Sequence, residues 1–489
     1  MKVICLNPPF LGMFSREQRS PAITKSGTIY YPMWLAYGAG ALMQAGHDVE
    51  LIDAVPKGWT AEDVELHVRD EKPDLLVIAT STPSIHSDLE IGERCKRVKP
   101  DIVTVFVGVH VSAVPEITLR ANKTADAVVI GEYEHTLVEL AEKIHQSKSN
   151  WRSIKGLAYR DSENVFINEP RPAIENLDEL PMVAAVYKQF LNYKDYFYSI
   201  ARYPEVTLIT GRGCAHRCIY CVYPQTLTGR RVRYRDIDAV LDEWEYVEKN
   251  FPEAKELFIE DDTMTLDKDR CSRLMKRKVE RNIKIGFTAN SRADVDLETL
   301  QWLKKGGCRL LCVGFESGNQ GILDTMHKSL KLDQSREFVK NAKKTGIMVH
   351  GCYLVGLPGE SRQTLEETLA FAKELNTDTA QFFPLMVYPG TEAYEWAKHQ
   401  GYLKSEDFSQ WLTPDGLHNC VVERSDLTNR ELVEFCDRAR REFYLRPRYM
   451  LFKLKQVILN PDEAKRTFKS LRKFWRYLLA GSFKQTSEK

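Results

Sequence analysis

Short apolar runs that alternate with amphipathic helical segments most constrain the fold of this chain. In the first third they recur at residues 3–6, 48–52, 75–80, 103–107 and 127–130. Between them lie helical patterns such as 32–45, where apolar residues recur at helical spacing. Strands that read as near-continuous apolar runs belong to parallel sheets covered by helices on both faces. The alternation therefore predicts a doubly wound, Rossmann-like α/β domain over residues 1–145.

The alternation resumes after a polar segment and repeats six more times. The strand-like runs are 206–210, 257–260, 284–288, 310–315, 348–355 and 380–387. Six parallel strand–helix units predict a partial (β/α)6 barrel over residues 201–400, whose chemistry gathers at the carboxyl ends of the strands. Residues 146–200 form a linker in this interpretation, and residues 401–489 a helical cap. The aromatic stretch 187–198 favours an interface helix over a wall of the substrate site.

Composition narrows the class of protein further. The 489 residues are 28% charged with a net charge of +1, which offers no global attraction for nucleic acid. No run reaches the roughly 18 apolar residues of a membrane span, and the amino terminus resembles a strand rather than a signal peptide. Eleven cysteines are scattered except for one cluster, so we expect a reducing, cytoplasmic location without disulfides. The eight cysteines outside the cluster are expected to be inert buried thiols.

The clustered cysteines are Cys214, Cys218 and Cys221, in a Cys-x3-Cys-x2-Cys arrangement after the first strand of the predicted barrel. Three thiolates at this spacing can each bind one iron of a [4Fe–4S] cluster and leave the fourth iron open. A zinc site usually needs four tetrahedral ligands, and only three cysteines are local, although His216 lies among them. The sequence therefore favours an iron–sulfur cluster.

This cysteine spacing, with Tyr220 before the last cysteine, resembles the radical SAM superfamily. The resemblance implies that residues at the strand ends bind S-adenosyl-L-methionine (SAM). Carboxylates of Asp261 and Asp262 are expected near its ammonium group, although a helix cap is the alternative for Asp262. Arg292 is expected to hold the SAM carboxylate, with a surface ion pair as the alternative. Glu316 is expected at the ribose or the amine, and Tyr220 is assigned to the same site.

The first domain resembles the cobalamin-binding domain fused to many radical SAM enzymes. Its Gly108-Val-His110-Val111 and Gly131-Glu132-Tyr-Glu134 turns carry the resemblance. Ligands of such sheets lie beyond the carboxyl ends of the strands. The residues expected at cobalamin are Asn7, Ser81, Thr82, Gly108, His110, Val111, Gly131 and Glu132.

The first loop departs from the pattern of the cobalamin-dependent mutases. It lacks an Asp-x-His-x-x-Gly run and offers only Asn7-Pro-Pro-Phe. We therefore expect cobalamin with its base detached and no histidine from this loop on cobalt. His110 is open to either a hydrogen-bonding role or ligation. An inherited scaffold that has lost its cofactor is the alternative for the whole domain.

Together the resemblances imply a cobalamin-dependent radical SAM methyltransferase. Such an enzyme cleaves SAM to a 5′-deoxyadenosyl radical and methylates an unactivated carbon of a small-molecule or lipid-like substrate. The alternatives are a rearrangement, ring contraction or cyclisation with the same cofactors, and a non-catalytic sensor. Residues 221–233 resemble hopanoid-biosynthesis-associated members. A flavodoxin- or ferredoxin-type reductant is implied, and no residue is assigned to catalysis itself.

The carboxyl-terminal segment is helical, basic and aromatic from residue 427 onward. A basic aromatic helix can lie on an anionic membrane surface. It can also cap the barrel while its charges stay in water. We expect a cap, with peripheral membrane contact as the alternative.

Overall fold

The computed structural model describes residues 1–146 and 151–459. The strands are, in chain order, β1 Lys2–Asn7, β2 Asp48–Asp53, β3 Leu75–Ala79, β4 Val103–Val107, β5 Ala127–Val129, β6 Leu157–Asp161, β7 Asn164–Ile167, β8 Glu205–Leu208, β9 Gly211–Arg212, β10 Arg233–Tyr234, β11 Glu256–Ile259, β12 Gly286–Ser291, β13 Cys308–Glu316, β14 Met348–Val355 and β15 Thr379–Pro384. The α-helices are α1 Met33–Gln44, α2 Ala54–Lys57, α3 Ala61–Glu71, α4 Ile85–Val98, α5 Val109–Ala113, α6 Pro115–Ala121, α7 Glu134–Gln146, α8 Val183–Phe190, α9 Val222–Thr226, α10 Ile237–Asn250, α11 Lys268–Glu280, α12 Leu297–Lys305, α13 Gln320–Thr325, α14 Leu332–Thr345, α15 Arg362–Leu375, α16 Glu392–His399, α17 Asn429–Tyr444 and α18 Pro447–Leu459.

The first sheet has the order β2-β1-β3-β4-β5-β6-β7. Strands β1 to β5 are parallel, and β3 and β4 are buried along their whole length. This confirms the doubly wound α/β class. The antiparallel hairpin of β6 and β7 continues the same sheet, so it extends into the segment predicted as a linker.

The second sheet has the order β8-β11-β12-β13-β14-β15, and its neighbouring strands are all parallel. This confirms the six-stranded partial barrel. Its helices form where the sequence pattern requires them. In α10, for example, the Asp236 carboxylate accepts hydrogen bonds from the first turn, and Val240, Leu241, Trp244 and Val247 form the buried face.

Helix α17 covers β15, the edge strand at which the partial barrel would otherwise be open. The Tyr444 hydroxyl accepts a hydrogen bond from the Ala380 amide (2.8 Å) and donates one to the Ala380 carbonyl (2.6 Å). Arg440 donates to the Phe382 carbonyl at 2.9 Å. Because an uncovered edge strand exposes unpaired backbone groups, this helix completes the barrel in the way that the cap interpretation predicts.

The next helix, α18, is less buried. It exposes the large apolar side chains of Met450, Leu451, Leu454 and Ile458. The basic aromatic residues expected further along the cap, 465–477, lie outside the described part of the chain. Within residues 1–146 and 151–459, no helix has both the length and the apolarity needed to cross a membrane.

Candidate active site

The cysteine loop lies between β9 and helix α9, within the connection that joins β9 to β10. Gly213, just before the first cysteine, has φ +92°, and a Cβ atom there would lie 2.2 Å from the carbonyl oxygen of Arg231. Only glycine fits this backbone and this approach. Cys221 ends the loop as the N-cap residue of α9. The local fold thus presents all three cysteines within one tight turn.

The three thiols lie close enough to influence one another electrostatically. The pKa of Cys221 is raised to about 12, chiefly by burial; the charge of Arg19 opposes this shift, and the nearby Asp262, Cys218 and Cys214 contribute to it. Burial also raises the pKa of Cys214. Such thiols become ligands when a metal replaces their protons. Three cysteines on one loop fit an iron–sulfur cluster with one open iron.

The acidic residues after β11 hold this loop in place. The Asp261 carboxylate accepts hydrogen bonds from the Thr210 amide and hydroxyl, both at 2.6 Å, and from the Gly211 amide at 3.2 Å. The Asp262 carboxylate accepts from the Gly213 amide at 3.1 Å and the Thr228 hydroxyl at 2.9 Å. Both residues therefore position the cysteine hairpin, and their contact with SAM stays a prediction.

An arginine that sequence reasoning missed enters the site from the long segment between β1 and α1. Arg19 donates to Asp262 Oδ1 at 2.7 Å, and its Nε lies 3.3 Å from Glu260 Oε1. Its guanidinium lies over the Tyr223 ring, 4.9 Å from the centroid. Burial raises the pKa of Glu260 to about 7, with Arg19 and Asn290 opposing the shift. The segment has no strand or helix periodicity, so no local sequence pattern indicated that Arg19 would reach the site.

Tyr220 and Glu316 contact each other, and the SAM contact expected of each stays a prediction. The Tyr220 hydroxyl donates to Glu316 Oε1 at 2.9 Å, and Lys328 Nζ donates to the same oxygen at 2.7 Å. Glu316 has φ +65°, at an irregularity in the pairing of β13 with β14. A Cβ atom at Gly314 would lie 2.1 Å from that oxygen, so glycine makes room for the cluster. Lys328 is a second residue that the sequence did not reveal.

Arg292 follows β12 directly and is buried. Its Nε donates to Asp294 Oδ2 at 3.0 Å, and its Nη2 donates to the Ser329 carbonyl at 2.8 Å. Burial lowers the pKa of the neighbouring His216 to about 4, and the charge of Arg292 adds to this shift. Arg292 forms the ion pair of the alternative interpretation, but its side chain is buried rather than at the surface, and binding of the SAM carboxylate stays a prediction.

The aromatic stretch at the end of the linker packs against both domains, as the interface interpretation expects, and a role as a wall of the substrate site stays a prediction. Tyr187 packs on Tyr31 at 4.6 Å between ring centroids, within the buried contact of linker and first domain. Tyr198 packs on Tyr30 at 5.0 Å and on Phe258 at 4.3 Å. Because Phe258 belongs to β11, Tyr198 lies against the barrel itself.

The residues expected at cobalamin gather at the carboxyl edge of the first sheet. Asn7 donates to Asp53 Oδ1 at 2.8 Å, and Ser81 Oγ lies 2.7 Å from Ser84 Oγ. Gly108 has φ +120°, and a Cβ atom there would lie 2.7 Å from the Thr80 carbonyl oxygen. Val111 is fully buried beneath the same edge. At Gly131, with φ +76°, a Cβ atom would meet nothing within 4 Å, so this turn is open.

His110 is buried at this edge, and its Nδ1 lies 3.1 Å from the Thr82 hydroxyl. Its ring packs against Phe408 with 4.9 Å between the centroids. Burial lowers its pKa to about 3, so the imidazole is neutral at ordinary pH. These contacts favour the hydrogen-bonding role for His110.

Glu132 joins the two domains. Its carboxylate accepts hydrogen bonds from Arg233 Nη1 and Nη2 at 2.7 and 2.8 Å and from the Ile174 amide at 2.8 Å. Two residues on, Glu134 accepts from Arg212 at 2.6 Å. Both arginines belong to the β9–β10 hairpin that flanks the cysteine loop. The two glutamates of the Gly-Glu-x-Glu turn therefore bind that hairpin, and a cobalamin contact of the Glu132 side chain stays a prediction.

A small cavity lies where the two domains meet. Thr80, Gly108 and Val109 line it from the edge of the first sheet. Tyr223 and Leu227 line it from the segment that follows Cys221. The carboxyl edge of the first domain and the segment that follows the cysteine loop therefore border one space, and the open turn at Gly131 leaves room for a cofactor at the same edge.

Comparison with known proteins identifies both domains. The model of the radical SAM superfamily matches residues 208–372, and that of the B12 binding domain matches residues 19–141. An uncharacterized methyltransferase of Pyrococcus horikoshii is 30% identical over 452 residues, which cover 92% of this chain and 94% of that protein. The anaerobic magnesium-protoporphyrin IX monomethyl ester cyclase of Rubrivivax gelatinosus is 27% identical over 428 residues, covering 86% and 75% of the two chains.

Among solved structures, the fold is similar to that of TsrM from Kitasatospora setae. That protein is a radical S-adenosylmethionine methyltransferase whose structure contains its tryptophan substrate and a SAM analogue. The TM-score is 0.67 at 18% sequence identity, and the match covers 83% of this chain and 77% of the other. The similarity extends over both domains and supports their arrangement.

Proposed function

The chain belongs to the radical SAM enzymes that carry a B12-binding domain, and we propose that it transfers a methyl group from SAM to an unactivated carbon of a small-molecule substrate. One observation carries this proposal: the strand ends of the first domain and the segment following Cys221 line the same cavity. When bound, the [4Fe–4S] cluster supplies the electron that cleaves SAM, and cobalamin carries the methyl group.

The residues of the chain hold and orient these groups. Cys214, Cys218 and Cys221 would bind the cluster, while Asp261 and Asp262 fix the hairpin on which they lie. Tyr220, Glu316 and Lys328 form a polar cluster beside the cysteines. This cluster suits the ribose hydroxyls and the amine of SAM, because it combines a carboxylate acceptor with two donors.

The interface between the domains keeps the two cofactor sites in register. Glu132 and Glu134 bind the hairpin of the cysteine loop through buried ion pairs. Arg212 also lies over Trp34 and Tyr37 of α1, 4.8 and 4.9 Å from their ring centroids. A rigid contact of this kind fixes the geometry between the carrier of the methyl group and the carbon that receives it.

The substrate class and the partners extend this proposal. Aromatic side chains of Tyr30, Tyr198 and Phe258 at the barrel suit an apolar or lipid-like substrate. A flavodoxin- or ferredoxin-type protein is the proposed reductant. The exposed apolar side chains of α18, beside basic residues of the same helix, suit a peripheral membrane contact if the substrate is a lipid.

A cyclisation is the second candidate, and a specific similarity favours it. The Rubrivivax gelatinosus relative, which covers 86% of this chain, is named as a cyclase. A cyclase of this kind would cleave SAM and leave its methyl group untouched. The two candidates therefore differ in the products that they release from SAM.

The deciding experiment is anaerobic incubation of the reconstituted enzyme with SAM, a reductant and hydroxocobalamin, followed by mass spectrometry of the small molecules. S-adenosylhomocysteine beside 5′-deoxyadenosine supports methyl transfer, whereas 5′-deoxyadenosine alone supports cyclisation or rearrangement. A Cys218→Ala variant should lose both products, and a Cys95→Ala variant, with its buried thiol in the first domain, should keep them. Formation of neither product by cluster-loaded enzyme would indicate the sensor and overturn the proposal.

A further inference from the structure

Two cysteines and a histidine outside the cluster motif meet on neighbouring strands of the barrel. Cys312 lies on β13, and His350 and Cys352 lie on β14. His350 and Cys352 are two residues apart and therefore share a face of the sheet. Cys312 is the register partner of His350. One potential ligand atom from each of the three residues lies within 4.8 Å of the other two.

The spacing of these atoms matches a tetrahedral metal site. Cys312 Sγ and Cys352 Sγ are 3.7 Å apart. Two thiolates at about 2.3 Å from a tetrahedral Zn²⁺ would be about 3.8 Å apart. A disulfide needs about 2.05 Å between the sulfurs, so the pair is not bonded. The sulfurs already stand at the separation that a shared metal requires.

One ring nitrogen of the histidine has an outer contact of the kind that orients metal-binding imidazoles: Nδ1 lies 2.7 Å from the Thr379 hydroxyl. The other nitrogen, Nε2, lies 3.4 Å from Gln381 Oε1 and would give up this long contact for the metal. Both partners belong to β15, the strand next to β14. Outer-shell partners fix the ring orientation of a metal-binding histidine.

The three residues face the region where the other polar groups of the barrel gather. The charges of Glu316 and Lys328 shift the pKa of the Cys352 thiol, and Cys312 raises the pKa of Tyr30 and of Tyr198. The cluster therefore lies between the proposed SAM-contacting group and the aromatic side chains of the linker. A metal here would be held by β13 and β14, whereas the cysteine loop follows β9.

We propose that Cys312, His350 and Cys352 bind one Zn²⁺ ion within the barrel. Thiolate and imidazole ligands in tetrahedral arrangement select zinc among the common divalent cations. Three protein ligands leave the fourth position for water or for a donor atom of the substrate, as in catalytic zinc sites. Zinc binding at this site requires neither cobalamin nor methyl transfer, so it can be tested independently of the proposed function.

The test is metal analysis of the full-length, cluster-loaded protein after anaerobic incubation with Zn²⁺ and removal of unbound metal. We expect about one retained zinc per chain, in addition to the cluster iron. Cys352→Ser and His350→Gln should each lose this zinc. Cys308→Ser is the matched control, because Cys308 is a buried thiol on the same strand outside the three-residue cluster. Equal zinc in all four proteins, or none in the wild type, would overturn the site.

A second measurement on the unaltered protein does not depend on the folding of variants. Zn²⁺ should slow the alkylation of Cys312 and Cys352 at least about tenfold, because a metal-bound thiolate is a poorer nucleophile and is covered. Alkylation at Cys308 should not change. Unaltered rates at Cys312 and Cys352, or a cystine between them in anaerobic protein, would refute zinc binding.

Discussion

The buried ion pair between Glu132 and Arg233 should control how firmly the cysteine hairpin is held against the first domain. Both side chains are 3% exposed, and two parallel hydrogen bonds of 2.7 and 2.8 Å join them. Burial alone would raise the pKa of Glu132, but Arg233 and Arg212 lower it below its ordinary value. The carboxylate is therefore charged in the folded protein, and its loss leaves buried guanidinium groups short of a counter-charge.

Glu132→Gln keeps the size of the side chain and removes its charge. Removing one partner of a buried pair costs about 3–5 kcal/mol. At about 1.4 kcal/mol per factor of ten, the lower figure corresponds to a more than hundredfold increase in local opening. Arg231 of the same hairpin supplies a matched control through its pair with Glu175, whose side chains are 73% and 60% exposed. Glu175→Gln should cost less than about 1 kcal/mol.

Hydrogen–deuterium exchange of cluster-free protein measures this opening directly. We expect amides in residues 211–234 and around residue 174 to exchange more than hundredfold faster in Glu132→Gln and less than about fivefold faster in Glu175→Gln. Iron retention after reconstitution should fall in the same order. Equal exchange in the two variants, or no change in either, would show that the pair does not hold the hairpin.

Three further substitutions test the site itself. Gly213→Ala should cost at least about 1–3 kcal/mol of backbone strain in addition to a steric clash, and should lower the iron content. Gly46→Ala is the control, because Gly46 has φ +83° with nothing near its Cβ position, and this variant should retain iron. Equal iron content in the two variants would contradict the role given to Gly213. Glu316→Ala should keep its iron but bind SAM about tenfold to a hundredfold more weakly in equilibrium binding, and an unchanged affinity would remove Glu316 from the SAM site. Because burial raises the pKa of Glu260 to about 7 from an ordinary value of 4.5, its contribution to the unfolding free energy is present below about pH 4.5 and is lost as pH rises through about 7. The melting temperature of Glu260→Gln should therefore fall less than that of the wild type as pH rises from about 5 to 8. Parallel pH profiles of the two melting temperatures would argue against this titration.

The sequence alone was sufficient for features that depend on neighbouring residues. A period of 2 or 3.6 residues records which face of a strand or helix is buried, so both parallel sheets and α10 followed from it. The three cysteines of the cluster motif lie within eight positions on one turn. Their chemistry and their place after the first barrel strand were therefore visible in the chain as written.

The tertiary structure decided every contact between distant segments. Arg19 reaches Asp262 across 243 positions, and Glu132 reaches Arg233 across 101. The pairing of Cys312 with Cys352 depends on the register between two strands, because a shift of one residue would turn one thiol to the other face. The periodicity of apolar residues along the sequence does not encode these long-range contacts, since they follow from how the layers pack. The sequence thus determined the elements and the cluster motif, and packing determined which charged and metal-binding side chains face one another.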